Sequence, residues 1–535
     1  DNSSICVPSA TEQGTITWSH CYAPGSGESG DIAVHPDDEN IVYIGSIGSS
    51  PGGSGVLQSY DHRTKQYWLA SVWPEEYFGR NDSDLKYRFN WTFPILISRH
   101  DPSVLYVAGN IVFRSTDGGM NWDAISPDLT RDDPEKQLVA GGPITIDASG
   151  AETYCTVYAL AESPLQQGEL WAGSDDGLVF ISQDDGKNWT AVTPPDLIEW
   201  SRVGCIEVSR HEAGTAYVAA SRHKLDDFSG YIYKTEDFGK SWRFLSSGFP
   251  AGEISRVIRE DPKRPGLLYV GTESCVCVSL DDGDSWTKLE TNLPVVPVYD
   301  LKVKDNDLVA GTHGRSFWIL DDLTPLRDLA ENGGKGGAQL FRPMPSYRRL
   351  VDWRSKDPRL AEPQDTCYLL TLGCTAAWRE QDSEDGELIR TFIDAGENPP
   401  LGVIVYYLLG DEPAAEIRLS FLGDDGEIIK SFTSKPVEEE GKDENEDEAR
   451  QEKGTRFAPA KKGLNRFVWD MHYENAERST EDSPVRDKYE SLMKSRPGTN
   501  GPLAVPGRYR VQLTVGDSTQ SETFEILPDP RLAMT

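Results

Sequence analysis

The chain has 535 residues and a formal net charge of −34 at pH 7, from 87 acidic and 53 basic side chains. This length exceeds one ordinary hydrophobic core and predicts two or three domains. The acidic balance argues against nucleic acid or an anionic membrane surface as a partner. No apolar run in the sequence is long enough to span a bilayer.

Short apolar strands separated by turns recur along the first 320 residues, which predicts an all-β domain. The first group covers 31–34, 41–44, 56–60 and 67–71, and the second covers 91–98, 104–108 and 111–115. The third begins with either 142–147 or 155–160 and continues with 170–173 and 178–182. The last three groups cover 204–209, 215–220 and 231–235, then 255–259, 267–271 and 276–279, then 298–304, 307–311 and 317–320.

One motif, S/T-x-D-x-G-x-x-W, closes four of these groups, at 115–122, 182–189, 235–242 and 279–286. We call these segments the D-G-W turns. The hydroxyl and the Asp side chain can accept hydrogen bonds from nearby backbone N–H groups. The Gly can adopt a backbone angle that other residues resist, and the Trp buries a large ring beside the turn. A degraded copy occupies 59–68. We expect a structural role for Asp117, Trp122, Asp184, Trp189, Asp237, Trp242, Asp281 and Trp286.

Successive D-G-W tryptophans lie 44 to 67 residues apart, and a four-stranded propeller blade needs roughly 40–50 residues. The pattern therefore predicts a six-bladed β-propeller over residues 1–328, or a seven-bladed one if 147–164 hides a further blade. The last group lacks a fourth strand, and we expect the N-terminal segment 15–22 to pair with it and close the ring.

After a Gly-rich linker at 329–339, residues 340–535 contain no D-G-W turn. Their alternating apolar runs, at 403–408, 416–421, 466–469 and 509–515, predict an antiparallel β-sandwich. The acidic run 437–453 has no apolar anchor and is expected to be a disordered loop.

Eight histidines and eight cysteines are scattered without metal-ligand spacing, so we expect neither a metal nor a cofactor. The pairs Cys6–Cys21 and Cys367–Cys374 can each close a local hairpin in an exported protein, but spacing does not fix the pairing. Cys275 and Cys277 would share one side of a strand.

The D-G-W turns are the Asp-box (BNR repeat), and the chain resembles β-propellers of the sialidase and sortilin type. Stretches 27–30, 84–94, 169–179, 224–228, 312–323, 392–400 and 465–470 are similar to a bacterial family labelled glycosyl hydrolases. That resemblance implies two propellers in tandem followed by an immunoglobulin-like domain, a layout similar to xyloglucanases. The chain then corresponds to the second propeller and that domain, with the first propeller either on a separate chain or absent. No catalytic residues carry over.

Propeller geometry separates two faces. The D-G-W turns and the loops between first and second strands lie on the turn face. The loops that enter each first strand, or join second and third strands, lie on the other, which we call the pocket face. Carboxylates and arginines there can perform acid–base chemistry or hold an acidic glycan. The candidate ligand-binding residues are Glu28, Arg88, Asp175, Asp176, Arg202, Asp226, Asp227, Arg256, Glu273, His313 and Arg315.

Two functions follow as hypotheses. One is an exported propeller that binds, and in one version cleaves, a polysaccharide or oligosaccharide. The other is a sortilin-like scaffold without enzymatic activity that docks a protein or its own first propeller. Arg88, Arg202 and Arg256 resemble the arginines of a sialidase, but no matching Tyr–Glu pair is identifiable. N-x-S/T sequons favour an extracellular, cell-surface or periplasmic location, and they begin at Asn2, Asn81, Asn90 and Asn188.

Overall fold

A computed structural model describes residues 4–12, 14–25, 27, 30–46, 55–76, 79–139, 153–334, 336–349, 367–371, 374–413, 415–435, 456–474 and 501–530. These residues form two compact units. The first unit runs up to Cys6 and resumes from Tyr22 to Asp321. The second takes in Val7–Cys21 and the chain from Asp322 onward, so the boundary lies a few residues before the predicted one at 328.

The first unit is a β-propeller, which confirms the predicted fold class. Three short strands come first, β1 (Ser4–Cys6), β2 (Thr15–Ile16) and β3 (Tyr22–Gly25). Six antiparallel sheets follow in chain order, five of four strands and a last one of three. Their strands are β4 (Ile32–Val34), β5 (Ile41–Ser46), β6 (Val56–Asp61) and β7 (Gln66–Leu69); β8 (Ile95–Ile97), β9 (Leu105–Ala108), β10 (Val112–Ser115) and β11 (Asp123–Ala124); β12 (Val157–Glu162), β13 (Leu170–Ser174), β14 (Val179–Ser182) and β15 (Thr190–Ala191); β16 (Arg202–Val208), β17 (Ala216–Arg222), β18 (Asp227–Thr235) and β19 (Arg243–Phe244); β20 (Val257–Glu260), β21 (Leu268–Gly271), β22 (Val276–Ser279) and β23 (Thr287–Lys288); and β24 (Val298–Lys304), β25 (Asp307–Thr312) and β26 (Phe317–Leu320).

The sheets pack face to face around the ring, and this explains their composition. Second strands such as β9, β13 and β21 are buried along their whole length. The sequence of a strand that is covered on both faces is a continuous run of apolar residues, without the alternation of apolar and polar residues seen in a half-exposed strand. The outermost strands β11, β15, β19 and β23 are exposed two-residue pieces. Among the described residues, the propeller has six of these sheets, and the third begins at Val157, within the second of the two predicted inner strands; the first, 142–147, lies outside the described residues.

Asp31, just before β4, joins the first sheet to the second. Its carboxylate accepts hydrogen bonds from the backbone N–H of Ile32 at 2.9 Å and of Ile95, in β8, at 3.1 Å. Burial raises the pKa of Asp31 to about 6, and the charge of Asp300 adds to the shift.

The expected ring closure by segment 15–22 is wrong. Strand β2, which itself belongs to the second unit, pairs instead with Gly396–Glu397 of that same unit, and the Thr15 hydroxyl donates to the Gly396 carbonyl at 2.7 Å. Residues Trp18–His20 then form a 3₁₀ turn, which interrupts an extended strand. Strand β3 pairs with β1, and Cys6 and Cys21 are both free thiols.

Each D-G-W turn ties its own sheet to the preceding one. Within the turn, the Ser or Thr hydroxyl accepts from the Gly N–H; Ser182, for example, accepts from Gly186 at 2.9 Å. The Asp carboxylate accepts from the N–H four residues later. The indole N–H donates to a backbone carbonyl just after the last strand of the preceding sheet. These four bonds join Trp122 to Ala70 at 2.9 Å, Trp189 to Ile125 at 2.9 Å, Trp242 to Val192 at 2.7 Å and Trp286 to Leu245 at 2.8 Å.

The second unit contains the remaining elements. A single α-helix, α1 (Thr324–Asn332), covers the start of the predicted linker. The strands that follow are β27 (Ala338–Leu340), β28 (Ser346–Arg348), β29 (Cys367–Thr371), β30 (Cys374–Asp382), β31 (Leu388–Phe392), β32 (Gly396–Glu397), β33 (Val403–Leu409), β34 (Ile417–Gly423), β35 (Ile428–Thr433), β36 (Gly463–Trp469), β37 (Gly507–Val515) and β38 (Ser518–Pro528). The side chains of Cys367 and Cys374 and the acidic run 437–453 lie outside the described residues.

Two sheets of this unit share one apolar core, as the sandwich prediction requires. The three-stranded sheet β27-β33-β36 contributes Val405 and Trp469, and the five-stranded sheet β28-β38-β37-β34-β35 contributes Phe421, Val511 and Phe524. The rings of Phe421 and Trp469 stack with centroids 4.4 Å apart. Among the described residues, no helix combines the length and the apolar composition needed to cross a membrane.

We predict that Trp189→Phe destabilises the propeller by about 1–3 kcal/mol, because the Ile125 carbonyl loses its indole donor. Calorimetric unfolding should show a lower melting temperature. The matched control is Trp68→Phe, at the degraded copy of the motif, where the indole is 38% exposed. Equal melting temperatures for the two variants would contradict a stapling role for the indole bond.

Candidate functional site

A cavity of about 250 Å³ opens on the pocket face between the third and fourth sheets. Four segments form it: the segment that leads into β12, the loop between β13 and β14, the loop that enters β16 and the loop that follows β17. The predicted residues Asp175 and Arg202 meet here with Arg222–Leu225, which directly precede the predicted Asp226 and Asp227. The lining residues are Lys136, Tyr154, Asp175, Trp200, Arg202, Ser221, Arg222, His223, Lys224 and Leu225.

Aromatic rings and cations form one wall of this cavity. Tyr154 and Trp200 stack at 22° with centroids 6.0 Å apart. Arg131 lies 5.4 Å and Lys136 5.6 Å from the centroid of the same indole. The Trp200 N–H also donates to the Asp176 carbonyl at 3.2 Å, so both backbone and ring are held in place.

Arg202 is a half-buried cation in this cavity. Its guanidinium lies 4.8 Å from the Tyr158 ring centroid. Within the described parts of the chain, no carboxylate lies within 4.0 Å of that guanidinium. A partly desolvated arginine without a close counter-ion attracts an anionic ligand, since the guanidinium presents several donors in a planar fork.

Asp175 and Asp176 are buried and hydrogen-bonded. Asp175 accepts from the Thr156 N–H at 2.9 Å and from its hydroxyl at 2.7 Å. Burial raises the pKa of Asp175 to about 7, and the Asp176 charge adds to the shift. Asp176 accepts from the Ser174 hydroxyl at 2.5 Å and the Arg131 N–H at 2.8 Å, and burial raises its pKa as well. Both carboxyls therefore brace loops.

The loop between β17 and β18 forms the opposite side of the cavity. Arg222 donates to the Glu199 carbonyl and lies 3.4 Å from Asp227, which also accepts from the Tyr231 hydroxyl at 2.6 Å. Burial, with the charges of Arg256 and Arg202, lowers the pKa of His223 to about 4. His223 is thus neutral at pH 7. Asp226 is exposed and ends the 3₁₀ turn His223–Leu225.

Two other predicted arginines bind carboxylates of the protein itself. Arg88 is buried, 2.6 Å from Asp128 and 3.0 Å from Asp132. Arg256 donates to Glu273, with its Nε at 2.8 Å, and lies 4.3 Å from the Tyr299 ring centroid. The three arginines that resemble those of a sialidase therefore differ in their ion pairing. Arg88 and Arg256 are paired with carboxylates, whereas Arg202 has no carboxylate of the described residues within 4.0 Å.

The remaining predicted residues lie apart from the cavity lining. The His313 ring centroid is 4.8 Å from that of Tyr299, and the backbone N–H of His313 donates to the Pro297 carbonyl. Arg315 is exposed, and its carbonyl accepts from the Trp318 indole at 2.9 Å. Glu28 lies outside the described residues. In the described chain, His, Cys, Asp and Glu side chains do not form a metal-binding group of three.

Three residues at or beside the cavity have a left-handed backbone. Trp200, Cys155 and Asp226 have φ values of +65°, +57° and +57°. For a bulky residue such as Trp this region is an outlier that costs free energy, so surrounding contacts must hold it there. The Trp200 contacts with Asp176 and Tyr154 do so.

Sequence reasoning missed Lys136, Tyr154 and Trp200. Trp200 sits in the loop that enters β16, so the face rule that selected Arg202 would also have selected it. Lys136 and Tyr154 flank an insertion without a repeat counterpart, so nothing in the motif spacing pointed to them. A second cavity of about 390 Å³ lies on the turn face beside Asp185 and Lys187, and its Arg114 is ion-paired to Asp185.

No protein-family model matches the chain. The vacuolar protein sorting/targeting protein 10 of Schizosaccharomyces pombe is 26% identical over 151 residues, which is 26% of this chain and 9% of the relative. The protein of that name from Laccaria bicolor is 35% identical over 107 residues, 19% of this chain and 6% of the relative. The chain thus spans less than a tenth of either relative. These matches support a β-propeller protein.

The solved structures that the chain matches include a GH74 xyloglucanase and a second GH74 enzyme. The enzyme from Xanthomonas campestris is 15% identical, with a TM-score of 0.40 over 70% of this chain and 56% of its own. The Niastella koreensis GH74 enzyme is 13% identical, with a TM-score of 0.38 over 71% and 63%. PorZ from the type-IX secretion system of Porphyromonas gingivalis is 12% identical, with a TM-score of 0.36 over 94% and 60%.

Asp175 predicts a pH dependence of stability. Its folded pKa of about 7 exceeds the unfolded value of about 3.9. The folded state therefore binds the Asp175 proton more tightly than the unfolded state does, and this proton binding stabilises the fold. The stabilisation is fully present below the unfolded pKa and is lost as pH rises through 7. We expect the melting temperature of the wild type to fall more between pH 5 and pH 8 than that of Asp175→Asn. Parallel pH curves for the two proteins would contradict the raised pKa.

Proposed function

We propose that this protein is an exported β-propeller that binds an acidic saccharide in the cavity beside Arg202 and Trp200. One observation carries the proposal: a half-buried arginine has no carboxylate of the described residues within 4.0 Å, in a concave site that is also lined by two stacked aromatic rings. Such a site suits a ligand that joins a carboxylate to a ring-shaped, partly apolar body.

Charge supports an anionic ligand. The whole protein carries −34, yet the cavity wall concentrates Lys136, Arg202, Arg222 and Lys224. Against these stands Asp175, which is partly protonated at neutral pH because its pKa is about 7. A basic concave patch on an acidic protein directs an anion to that patch and repels it elsewhere.

The state of the carboxylates favours binding over cleavage. A glycosidase needs two carboxyl groups about 5 Å or about 6.5–9.5 Å apart on either side of the scissile bond. Here Asp175 is bonded to Thr156, Asp176 to Ser174, and Asp227 to Tyr231. Glu273 is paired with Arg256. The proposal therefore assigns no catalytic carboxylate.

The test is calorimetric titration with an oligogalacturonate and with its neutral counterpart, an oligogalactoside. We expect the acidic oligomer to bind and Arg202→Gln to weaken it by about ten- to hundredfold, since a hydrogen bond to a charged group contributes about 1.5–3 kcal/mol. The control Lys240→Gln removes an exposed charge from a D-G-W turn on the other face and should leave the affinity unchanged.

Equal affinity for the neutral oligomer, or an unchanged affinity in Arg202→Gln, would refute the proposal. An assay for newly formed reducing ends runs in parallel. Release of reducing ends that stops in Asp175→Asn would replace binding with hydrolysis as the function of this cavity.

A second function, docking of a protein segment, is favoured by exposed apolar side chains on the same face. Leu225, in the loop between β17 and β18, is 52% exposed, Phe228, the second residue of β18, is 56% exposed, and Val295, before β24, is 86% exposed. Apolar side chains gathered on one face are typical of protein interfaces. The names of the two curated relatives, which describe protein sorting and targeting, agree with this alternative.

Peptide display against the full chain separates the two functions. If a protein segment docks here, selected peptides should bind with an affinity that Phe228→Ser lowers several-fold, while binding of the acidic oligosaccharide stays unchanged. Met120→Ser, at a 72% exposed side chain on the turn face, is the matched control. Failure to select any peptide that depends on Phe228 would eliminate this alternative.

A further inference from the structure

Cys275 and Cys277 lie together at the start of β22, in the fifth sheet. Their sulfur atoms are 3.9 Å apart. Cys275 directly precedes β22 and Cys277 is the second residue of that strand, so a single residue separates the two thiols. Cys275 is half-buried and thus partly exposed to solvent, whereas Cys277 is fully buried.

The surroundings make the two thiols unequal. The Thr272 hydroxyl lies 3.4 Å from the Cys275 sulfur, and Lys288 is the cross-strand partner of Cys277. A hydrogen bond from the Cys277 thiol lowers the pKa of Cys275 to about 6 and raises that of Cys277. Burial raises the pKa of the Cys205 thiol, by contrast. An accessible thiolate next to a protonated thiol is the arrangement of an attacking and a resolving cysteine.

We propose that Cys275 and Cys277 form a thiol–disulfide exchange site for small disulfides. The Cys275 thiolate attacks one sulfur of the disulfide, forming a mixed disulfide and releasing the first thiolate, which takes a proton from water. The Cys277 thiol then loses its proton and attacks the Cys275 sulfur, forming the Cys275–Cys277 disulfide and releasing a second thiolate. Starting from one thiolate and one thiol, the two cysteines together lose two electrons and one proton; the small disulfide gains the two electrons and, with that proton and one from water, becomes two thiols.

The position of Cys275 outside the strand ladder permits the second step. Cys275 precedes β22, in a bend, and it is not paired with a residue of a neighbouring strand. The sulfur atoms are 3.9 Å apart, whereas the bond in a disulfide is about 2.05 Å long. Closure therefore needs Cys275 and the bend that carries it to move toward Cys277, which stays in the strand.

The experiment treats the reduced full-length chain with oxidised glutathione and maps the products by mass spectrometry. We expect the wild type to form the Cys275–Cys277 disulfide with little persistent adduct. Cys277→Ser should instead accumulate glutathione on Cys275, and Cys277→Ala repeats the test with a second side chain. Cys275→Ser should form neither product at this site, and the control Cys205→Ser should behave as the wild type.

The pH profile adds a readout that a purely structural thiol would not show. The rate at which Cys275 of the wild type first reacts with oxidised glutathione should reach half its maximum near pH 6, compared with about pH 8.5 for an ordinary thiol, and Cys277→Ala, which lacks the thiol donor, should move this midpoint upward. The proposal is overturned if Cys275 reacts no faster than Cys6 at pH 6.5. It is also overturned if the wild type retains the glutathione adduct as long as Cys277→Ser does.

Discussion

The propeller depends on one repeated interaction, the hydrogen bond from a D-G-W tryptophan to a backbone carbonyl of the preceding sheet. It occurs four times with donor–acceptor distances of 2.7 to 2.9 Å. The carbonyl lies one residue past the outermost strand, where it has no partner within its own sheet. One indole therefore provides the hydrogen-bond donor for this carbonyl and fixes the spacing between two neighbouring sheets.

Because these bonds all lie on the turn face, the other face has loops that vary in length and composition. The insertion before β12, the loop that enters β16 and the loop after β17 form one cavity there. The strained backbones of Trp200 and Cys155 are part of this region. Backbone strain of this kind persists only where neighbouring contacts determine the conformation, and such residues are concentrated at ligand sites.

The sequence predicted those parts that depend on local or repeated chemistry. The D-G-W turns, the strand groups and the pocket-face position of Arg202 follow from motif spacing and the propeller rule. The closure by 15–22 failed because pairing with Gly396 is set by contacts 381 residues away in sequence. The ion pairs of Arg88 and Arg256 could not be predicted from the sequence either, because only the tertiary structure brings Asp128 and Glu273 beside these arginines. Lys136 and Tyr154 belong to a region without a repeat counterpart.

A crystal structure of the protein with an acidic trisaccharide, such as trigalacturonate, tests the central claim most directly. The account predicts a sugar carboxylate within hydrogen-bond distance of the Arg202 guanidinium and a sugar ring against Trp200 or Tyr154. A trisaccharide bound instead near Arg256 and His313, or on the turn face beside Arg114, would contradict it.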